Sequence, residues 1–428
     1  MSSILTNTSA MVALQTLKGI NTNLAKTQQE ISTGKSVANA KDNAAIWAIS
    51  KVMESDVKGF RGISDSLSLG SSTIAVARSA SEQITDLLTE IKGKIVASQE
   101  ENVDRDKIQS DIVALRDQIG SIVGAAQFNG LNLLSNRQGG ATVAQIVGNT
   151  GAGAGILGSG SVSVLASLDR DSNGNVKASS ISAVKGDLGT QALSWGAGTD
   201  IAGAAITAAG AIANGASGTT AILGDIATAA RAGNRVIAGD GYSIGGLAAA
   251  GITADIRYVA RDGDTLGDIA RGLVERINFE AEKAGISISA SLDGSAGVSI
   301  TNNSGAGITV TGAVSTGGRA GGGLALLGEI DVSSETGSRA ALAAIEGLTQ
   351  AAVQAASDFG TAQKRIDIQK DFVGNLVDSL RAGIGSLVDA DMEEASARLQ
   401  ALQVQQQLGI QALSIANQAP QNILALFR

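Results

Sequence analysis

The chain of 428 residues has a formal net charge of -8, only 2% aromatic residues, and neither cysteine nor histidine. These absences exclude disulfides, thiolate metal sites and histidine-dependent catalytic pairs, so any catalysis would have to rest on carboxylates, Lys or Ser alone. We expect no metal, no cofactor and no enzyme. The acidic balance argues against nucleic acid or a membrane as the main partner, since both attract clustered Lys and Arg.

The amino-terminal third of the chain predicts three long helices. Residues 1–10 lack the charged and apolar regions of a cleaved signal peptide, and no apolar run approaches the ~18 residues of a membrane span. Apolar or small residues recur every three or four positions over residues 6–31, 46–95 and 108–122. This period of about 3.5 residues is typical of helices that wrap around a partner helix.

Residues 138–337 differ from the flanking helices because Gly, Ala, Ser and Thr dominate and the apolar stretches are short. This composition predicts an insert that combines strands with a helix. The helix is expected to begin at a capping box from Thr265 to Asp268 and to end at Gly285. Short alternating stretches predict strands over residues 252–259, 286–292, 298–301 and 308–311.

Helical spacing returns at Leu342, and the last apolar seam runs from Val388 to Ala416 with two weak positions, Gln406 and Gly409. Each terminal segment therefore has an apolar stripe that needs a partner helix, and the other end of the same chain is the nearest candidate. We predict a mainly α fold with an α+β insert. Long coiled-coil-like helices from both termini pack as a rod, and the Gly/Ala/Ser/Thr-rich domain is inserted in the middle as an outer domain.

The period by itself also fits an ordinary helical bundle with a surface insertion. Four segments, in this order along the chain, favour a more specific interpretation. Residues 32–45 resemble the joint between the first two helices of bacterial flagellins, and residues 128–134 resemble the turn after the third helix. Residues 389–391 resemble the acidic step before the last flagellin helix, and residues 416–424 with Arg428 are similar to the flagellin carboxyl end.

The resemblance implies a division of the chain into five segments. They are an inner-tube helix over residues 1–40, outer-tube helices over 41–137, a variable surface-exposed α+β insert over 138–337, an outer-tube helix over 338–386 and an inner-tube helix over 387–428. The implied function is a structural subunit that polymerises into the helical flagellar filament for swimming motility outside the cell. Its implied partners are copies of itself, hook-associated and cap proteins, an export chaperone and the flagellar type III export apparatus.

Apolar residues of the two terminal seams are expected to pack subunits together. They are Leu17, Ile20, Leu24, Ile31, Leu399, Leu402, Leu413 and Leu424. The resemblance also places a degenerate form of the family's patch for an innate immune receptor at Leu87, Glu90 and Ile91. Because Leu87 stands where the family's key Arg supplies a charge, we expect weak activation of that receptor.

Two other functions stay open at the level of sequence. A hook-filament junction protein would share the helical ends but adapt one structure to another instead of polymerising. A secreted enzyme or carbohydrate-binding module would be located in residues 138–337, although no convergent catalytic set is visible there. The segment Gly34-Lys35-Ser36 resembles the end of a phosphate-binding loop, but Gln29 stands where that motif needs glycine, so we interpret the segment as a helix joint.

The remaining motifs also have structural interpretations. Residues 153–158 match GxGxxG, but in a chain with 55 glycines we interpret them as a loop. Asp389 and Asp391 lie two positions apart and would not face the same way on a helix, so solvation or capping is expected rather than acid–base work. The acids at 262, 264 and 268 lack the closing Glu of a calcium loop, and we expect Asp264 and Asp268 to cap a helix.

Overall fold

The computed structural model describes residues 7–136, 160–170, 176–198, 206–222, 236–253, 255–294 and 296–426. At the carboxyl end, side chains are described as far as Gln418. The helices are α1 (Thr8–Thr33), α2 (Ala44–Ala97), α3 (Arg105–Ala125), α4 (Leu266–Ala284), α5 (Glu335–Val388) and α6 (Met392–Leu426). None of the described helices combines the length and apolarity needed to cross a bilayer.

The strands are short and belong to the middle of the chain. They are β1 (Gln127–Phe128), β2 (Leu131–Asn132), β3 (Ser161–Arg170), β4 (Val176–Val184), β5 (Ile206–Thr207), β6 (Gly210–Ile212), β7 (Ala216–Ile222), β8 (Gly241–Gly245), β9 (Ile256–Val259), β10 (Ile288–Asp293), β11 (Gly297–Asn302) and β12 (Ile308–Ser315). They form two antiparallel sheets, ordered β10-β11-β7-β5 and β6-β12-β8-β9, and two hairpins, β1-β2 and β3-β4. The chain divides into two compact units, residues 66–370 and the residues on either side of them.

In the unit of residues 66–370, the carboxyl part of α2, α3 and the amino part of α5 bury one apolar core. Its fully buried members include Ile84, Leu88, Ile95, Ile112, Ile119, Ile345, Phe359 and Ile366. Polar side chains connect the helices at the rim of this core. Arg78 donates from Nε to Gln363 Oε1 at 2.9 Å, and Gln109 donates to the Ile330 carbonyl at 3.1 Å. The predicted helical spacing is confirmed from Ile63 to Ile95 of α2, where every third or fourth side chain is buried, whereas Ile49 of the same predicted row is 53% exposed.

The predicted turn after α3 is a tight β-hairpin. Asn129 has a φ of 50° and Gly130 a φ of 79°, so both central residues adopt the left-handed conformation that a two-residue hairpin needs. Asn132 then donates a hydrogen bond of 2.6 Å to the Val123 carbonyl, which fastens the hairpin to the end of α3. Glycine and asparagine stand here because they reach positive φ at low cost.

The second hairpin, β3-β4, packs on the helices of the same unit. Val164 and Ala166 are buried, and Gln369 on α5 donates a hydrogen bond of 3.0 Å to the Ala166 carbonyl. Gly70 on α2 makes this approach possible, since a Cβ built there would lie 2.6 Å from Val164 Cγ1. A glycine in the middle of a long helix therefore has a packing reason.

The insert packs α4 against its two sheets, around a core that includes Tyr242, Ile244, Ile269, Leu273 and Ile300. The predicted capping box is confirmed, because Thr265 and Asp268 exchange both hydrogen bonds at the start of α4. Gly285 ends the helix with a φ of 68°, as expected.

Three predicted boundaries in these regions differ from the structure by four to seven residues. The first predicted strand begins at Ile256 rather than at 252, because a short 3-10 helix and Gly251 with a φ of 107° precede it. The last predicted strand extends to Ser315, four residues beyond its expected end. Helix α5 begins at Glu335 rather than at Leu342, because the Ser334 hydroxyl accepts the Gly337 amide at 3.1 Å and the Ser334 carbonyl accepts that of Ser338.

We expect Gly70→Ala to destabilise the monomer although alanine favours helices. The new methyl group collides with the Val164 side chain, and overpacking of this kind typically costs about 1–3 kcal/mol. The matched control is Gly93→Ala on the same helix, where no atom lies within 4 Å of the added Cβ. The control should gain about 0.5–1 kcal/mol from helix propensity. The midpoint of thermal unfolding, followed by circular dichroism, should therefore fall for one variant and rise for the other; equal midpoints would contradict the packing.

Candidate functional site: the paired terminal helices

Helices α1 and α6, from opposite ends of the sequence, pack against each other in antiparallel orientation. Near the start of α1, Asn7 donates a hydrogen bond of 2.8 Å to the Ala416 carbonyl of α6. At the other end of α1, the Ala390 amide donates to the Gly34 carbonyl at 3.0 Å. The prediction that the two chain ends pair with each other is confirmed.

The residues that face the partner helix are those of the predicted seams. On α1, Thr27 is buried, and Leu17, Ile20, Leu24 and Ile31 are half-buried. On α6, Ala395 and Leu402 are buried, at 5% and 8% exposure, and Leu399 and Leu413 are half-buried. The structure thus brings together, within one chain, seven of the eight residues predicted to pack subunits. The side chain of the eighth, Leu424, lies outside the described residues.

The two weak positions of the α6 seam match specific positions on α1. A Cβ at Gly409 would lie 3.2 Å from Leu17 Cδ1, so the missing side chain leaves space into which the leucine packs. Gln406 donates from Nε2 to Asn21 Oδ1 at 2.6 Å. This hydrogen bond lies at the exposed edge of the seam, so it favours the observed register only modestly, since in another alignment both amides can bond water. Gly409 and Gln406 therefore each have a matching position on α1, and the close fit at Gly409 contributes most to the choice of register.

Backbone hydrogen bonds connect the segment after α1 to the segment before α6. Gly34 ends α1 with a φ of 68°, and the Ser36 amide donates to the Val388 carbonyl at 2.8 Å. Lys35 and Asp389 form an isolated antiparallel bridge. The segment 34–36 is therefore a helix joint, as predicted.

Asp391 accepts the amides of Glu393 at 3.0 Å and Glu394 at 3.2 Å, which caps the amino end of α6. The capping interpretation is confirmed for Asp391. Nothing in this arrangement joins Asp391 to Asp389 as an acid–base pair.

Helix α6 also has a second apolar stripe, which faces away from α1 and which the sequence analysis missed. Val404, Leu408 and Ile415 are 56%, 57% and 69% exposed. They continue the spacing of Ala397 and Ala401, and each lies two positions after a residue of the paired seam. Two positions correspond to about 200° around a helix, so the exposed stripe is on the opposite side of α6. Three large apolar residues in one exposed row indicate a surface that another molecule covers.

Helix α1 contributes further exposed apolar side chains near its start. Met11, Val12 and Leu14 are all more than half exposed, whereas Ala10, Ala13 and Leu17 face the partner helix. Pairing therefore buries only one apolar side of each helix. Further apolar side chains of both α1 and α6 stay exposed on the outside of the pair.

The insert contains an alternative location for a ligand, a cleft of about 220 Å³ beside α4. Most of its charged groups engage one another. Arg261 pairs with Asp187 at 3.2 Å, and Asp264 accepts the Tyr258 hydroxyl at 2.7 Å. Burial raises the pKa of Asp264, and the nearby Arg261 guanidinium opposes that rise. This mutual pairing indicates a structural network.

The network also corrects one expectation about the acids of this region. Asp268 caps α4, but Asp264 instead accepts the Arg261 amide at 2.8 Å and the Tyr258 hydroxyl. Within the same cleft, burial raises the pKa of Glu275, whose carboxylate packs closely on the Gly347 backbone of α5. The GxGxxG segment at residues 153–158 lies outside the described residues.

The residues of the degenerate immune patch differ in accessibility. Glu90 is exposed and Leu87 is half-buried, but Ile91 is completely buried in the helical core. A receptor could contact only the first two on the folded chain. Weak receptor activation stays a prediction.

Two family models match the chain, the bacterial flagellin N-terminal helical region over residues 4–139 and the C-terminal helical region over residues 342–427. Flagellin A of Rhizobium meliloti is 36% identical over 437 residues, with 100% of both chains covered. The chain belongs to the bacterial flagellin family. Flagellin FljK of Caulobacter vibrioides is 28% identical over 431 residues, covering 100% of this chain and 99% of the relative.

Among solved structures, the flagellar hook associated protein-3 from Legionella pneumophila covers 79% of this chain and 98% of its own length at 10% identity. Its TM-score of 0.34 is too low to support an argument. Because the chain matches flagellins over its whole length, its function is that of a subunit of the flagellar filament. The hook-filament junction alternative is not favoured.

We expect Leu17→Cys combined with Gly409→Cys to form a disulfide within one chain when filaments are oxidised. The two positions face each other across the seam, where a Cβ at 409 would lie 3.2 Å from Leu17 Cδ1, and the natural chain has no cysteine to compete. Non-reducing electrophoresis should show a monomer of altered mobility. The control pair, Leu14→Cys with Gly409→Cys, places one thiol on the exposed side of α1 and should not form that monomer. A ladder of cross-linked dimers and larger species from the first pair would show that the seam forms between chains instead.

Proposed function

We propose that the α1–α6 pair is the polymerising element of this filament subunit and that neighbouring copies cover its outer apolar surface. The observation that supports this proposal is that α6 has two apolar stripes on opposite sides. One stripe packs on α1 of the same chain, and the other, at Val404, Leu408 and Ile415, stays exposed. Burying each such side chain is worth about 1.5–3 kcal/mol, so water is a poor final environment for three of them in one row.

A second copy of the chain is the occupant that fits this surface. The exposed residues have the three- and four-residue spacing of a helix–helix seam. A binding site for a small molecule would not need this spacing. A helical polymer repeats one interface many times, so a modest apolar gain per subunit accumulates along the filament. The packing residues predicted from sequence, such as Leu17 and Leu402, would then act indirectly, by holding α6 in the orientation that presents its outer stripe.

The five-segment division completes the proposal. Residues 1–40 and 387–428 form the inner tube, residues 41–137 and 338–386 the outer tube, and residues 138–337 the variable outer surface. The chain is proposed to be exported through the flagellar type III apparatus with a chaperone, to contact hook-associated and cap proteins, and to act outside the cell. Its family is structural, and we propose that it has no catalytic role.

Leu402→Asp tests the role of the paired seam. A carboxylate at this buried position would be desolvated without a partner, so α1 and α6 should separate and seeded filament growth should stop. The matched control is Gln403→Asp, which adds the same charge at an exposed neighbouring position. Electron microscopy of monomers added to filament seeds measures the result. Normal filaments from Leu402→Asp would contradict the proposal.

Leu408→Asp tests the outer stripe separately from the seam. This residue faces away from α1, so a chain that also contains Leu17→Cys and Gly409→Cys should still form the intramolecular disulfide. Elongation from seeds should nevertheless fall by more than about tenfold, since a charge in an apolar contact costs at least ~1.4 kcal/mol. Unchanged elongation would show that neighbouring subunits do not use this face.

A further inference from the structure

A groove of about 320 Å³ lies between α2 and α5 in the unit that contains the chain ends. Lys58 and Arg61 line it from α2, and Arg381 lines it from α5. All three are exposed. In a chain with a net charge of -8, three basic side chains around one groove form a local exception to the acidic surface.

The acids around the groove leave part of this positive charge uncompensated. Glu54 pairs with Lys51 at 2.8 Å, and Arg381 pairs with Asp378 at 3.3 Å. The hydrogen bond from Lys51 holds the pKa of Glu54 below its usual value, and Lys35 and Lys58 add to that effect. Asp389 also lines the groove, so its three cations lie beside two carboxylates, Glu54 and Asp389. Lys58 and Arg61 are exposed and remain accessible to an acidic partner.

The same chain presents an acidic segment of suitable form at the turn between α2 and α3. This acidic turn contains four exposed carboxylates within seven residues, at Glu100, Glu101, Asp104 and Asp106. Asp104 is engaged locally, because it caps α3 and pairs with Lys107 at 2.9 Å. Glu100 and Glu101 project from the turn itself, between two helices, where a neighbouring surface can reach them.

A filament is built by contacts between two different patches of the same subunit, since a self-complementary patch closes a dimer instead of extending a polymer. The basic groove and the acidic turn are two different patches of one chain, and their opposite charges make them complementary. We propose that the acidic turn at residues 100–106 of one subunit docks in the groove at Lys58, Arg61 and Arg381 of a neighbouring copy. This inference rests on the proposed function and adds a second, electrostatic contact to the apolar contact of α6.

Charge reversal tests the contact. One variant contains Lys58→Glu and Arg61→Glu, and the other contains Glu100→Lys and Glu101→Lys. Each variant alone should elongate from its own seeds at least about tenfold more slowly than the unaltered chain, because like charges would face each other. The control, Lys177→Glu, reverses an exposed charge on β4 and should elongate normally. Circular dichroism of each monomer checks that the helices are retained.

Mixing the two variants decides whether the contact joins different chains. In a one-to-one mixture the reversed groove of one variant can meet the reversed turn of the other, and the unaltered turn of the first can meet the unaltered groove of the second, so elongation should recover. A chain with all four substitutions should also recover. Recovery of that chain without recovery of the mixture would place the contact inside one subunit and overturn the proposal, as would normal growth of either variant alone. Failure of the unaltered chain to elongate would instead overturn the proposed function.

Discussion

The interaction on which the rest depends is the mutual burial of one stripe of α1 and one stripe of α6. These helices are the two ends of the sequence, and each has only one weakly apolar inner face, with Ala10 and Ala13 on α1 and Ala395 on α6. The small residues of the seam support close approach, but each supplies little free energy of association at its own position. The pair therefore needs specific contacts, at Gly409 and Gln406, to favour one alignment. It also leaves apolar surface for further association.

Much of this arrangement could be predicted from the sequence because it depends on local spacing. The α1 row through Leu17 and Leu24 is visible as a period of about 3.5, and a periodic row is buried wherever a partner exists. The capping box at Thr265 and the turn at Asn129 were equally predictable, since both depend on neighbouring residues alone. The resemblance to flagellins added the order of the segments, which spacing alone does not give.

The unpredicted features depend on contacts between distant residues. Glutamines separate the residues of the outer stripe near Leu408, so its apolar spacing is less apparent in the sequence than that of the seam that packs on α1. The role of Asp264 is set by Tyr258 on a neighbouring strand, and nothing in its local sequence distinguishes it from a helix cap. The early start of α5 depends on the Ser334 cap, whereas the polar first turn has no apolar row to mark it. Tertiary partners decide each of these cases.

The space at Gly409 also bears on how accurately subunits are incorporated. If the two ends paired one heptad out of step, Leu17 would face Leu402 or Ala416, and neither position offers the same space. Gln406 would at the same time lose Asn21. A subunit paired out of step would therefore be bulkier across the seam and less stable than the observed one. A single missing side chain in this way selects one alignment of the two chain ends for every copy.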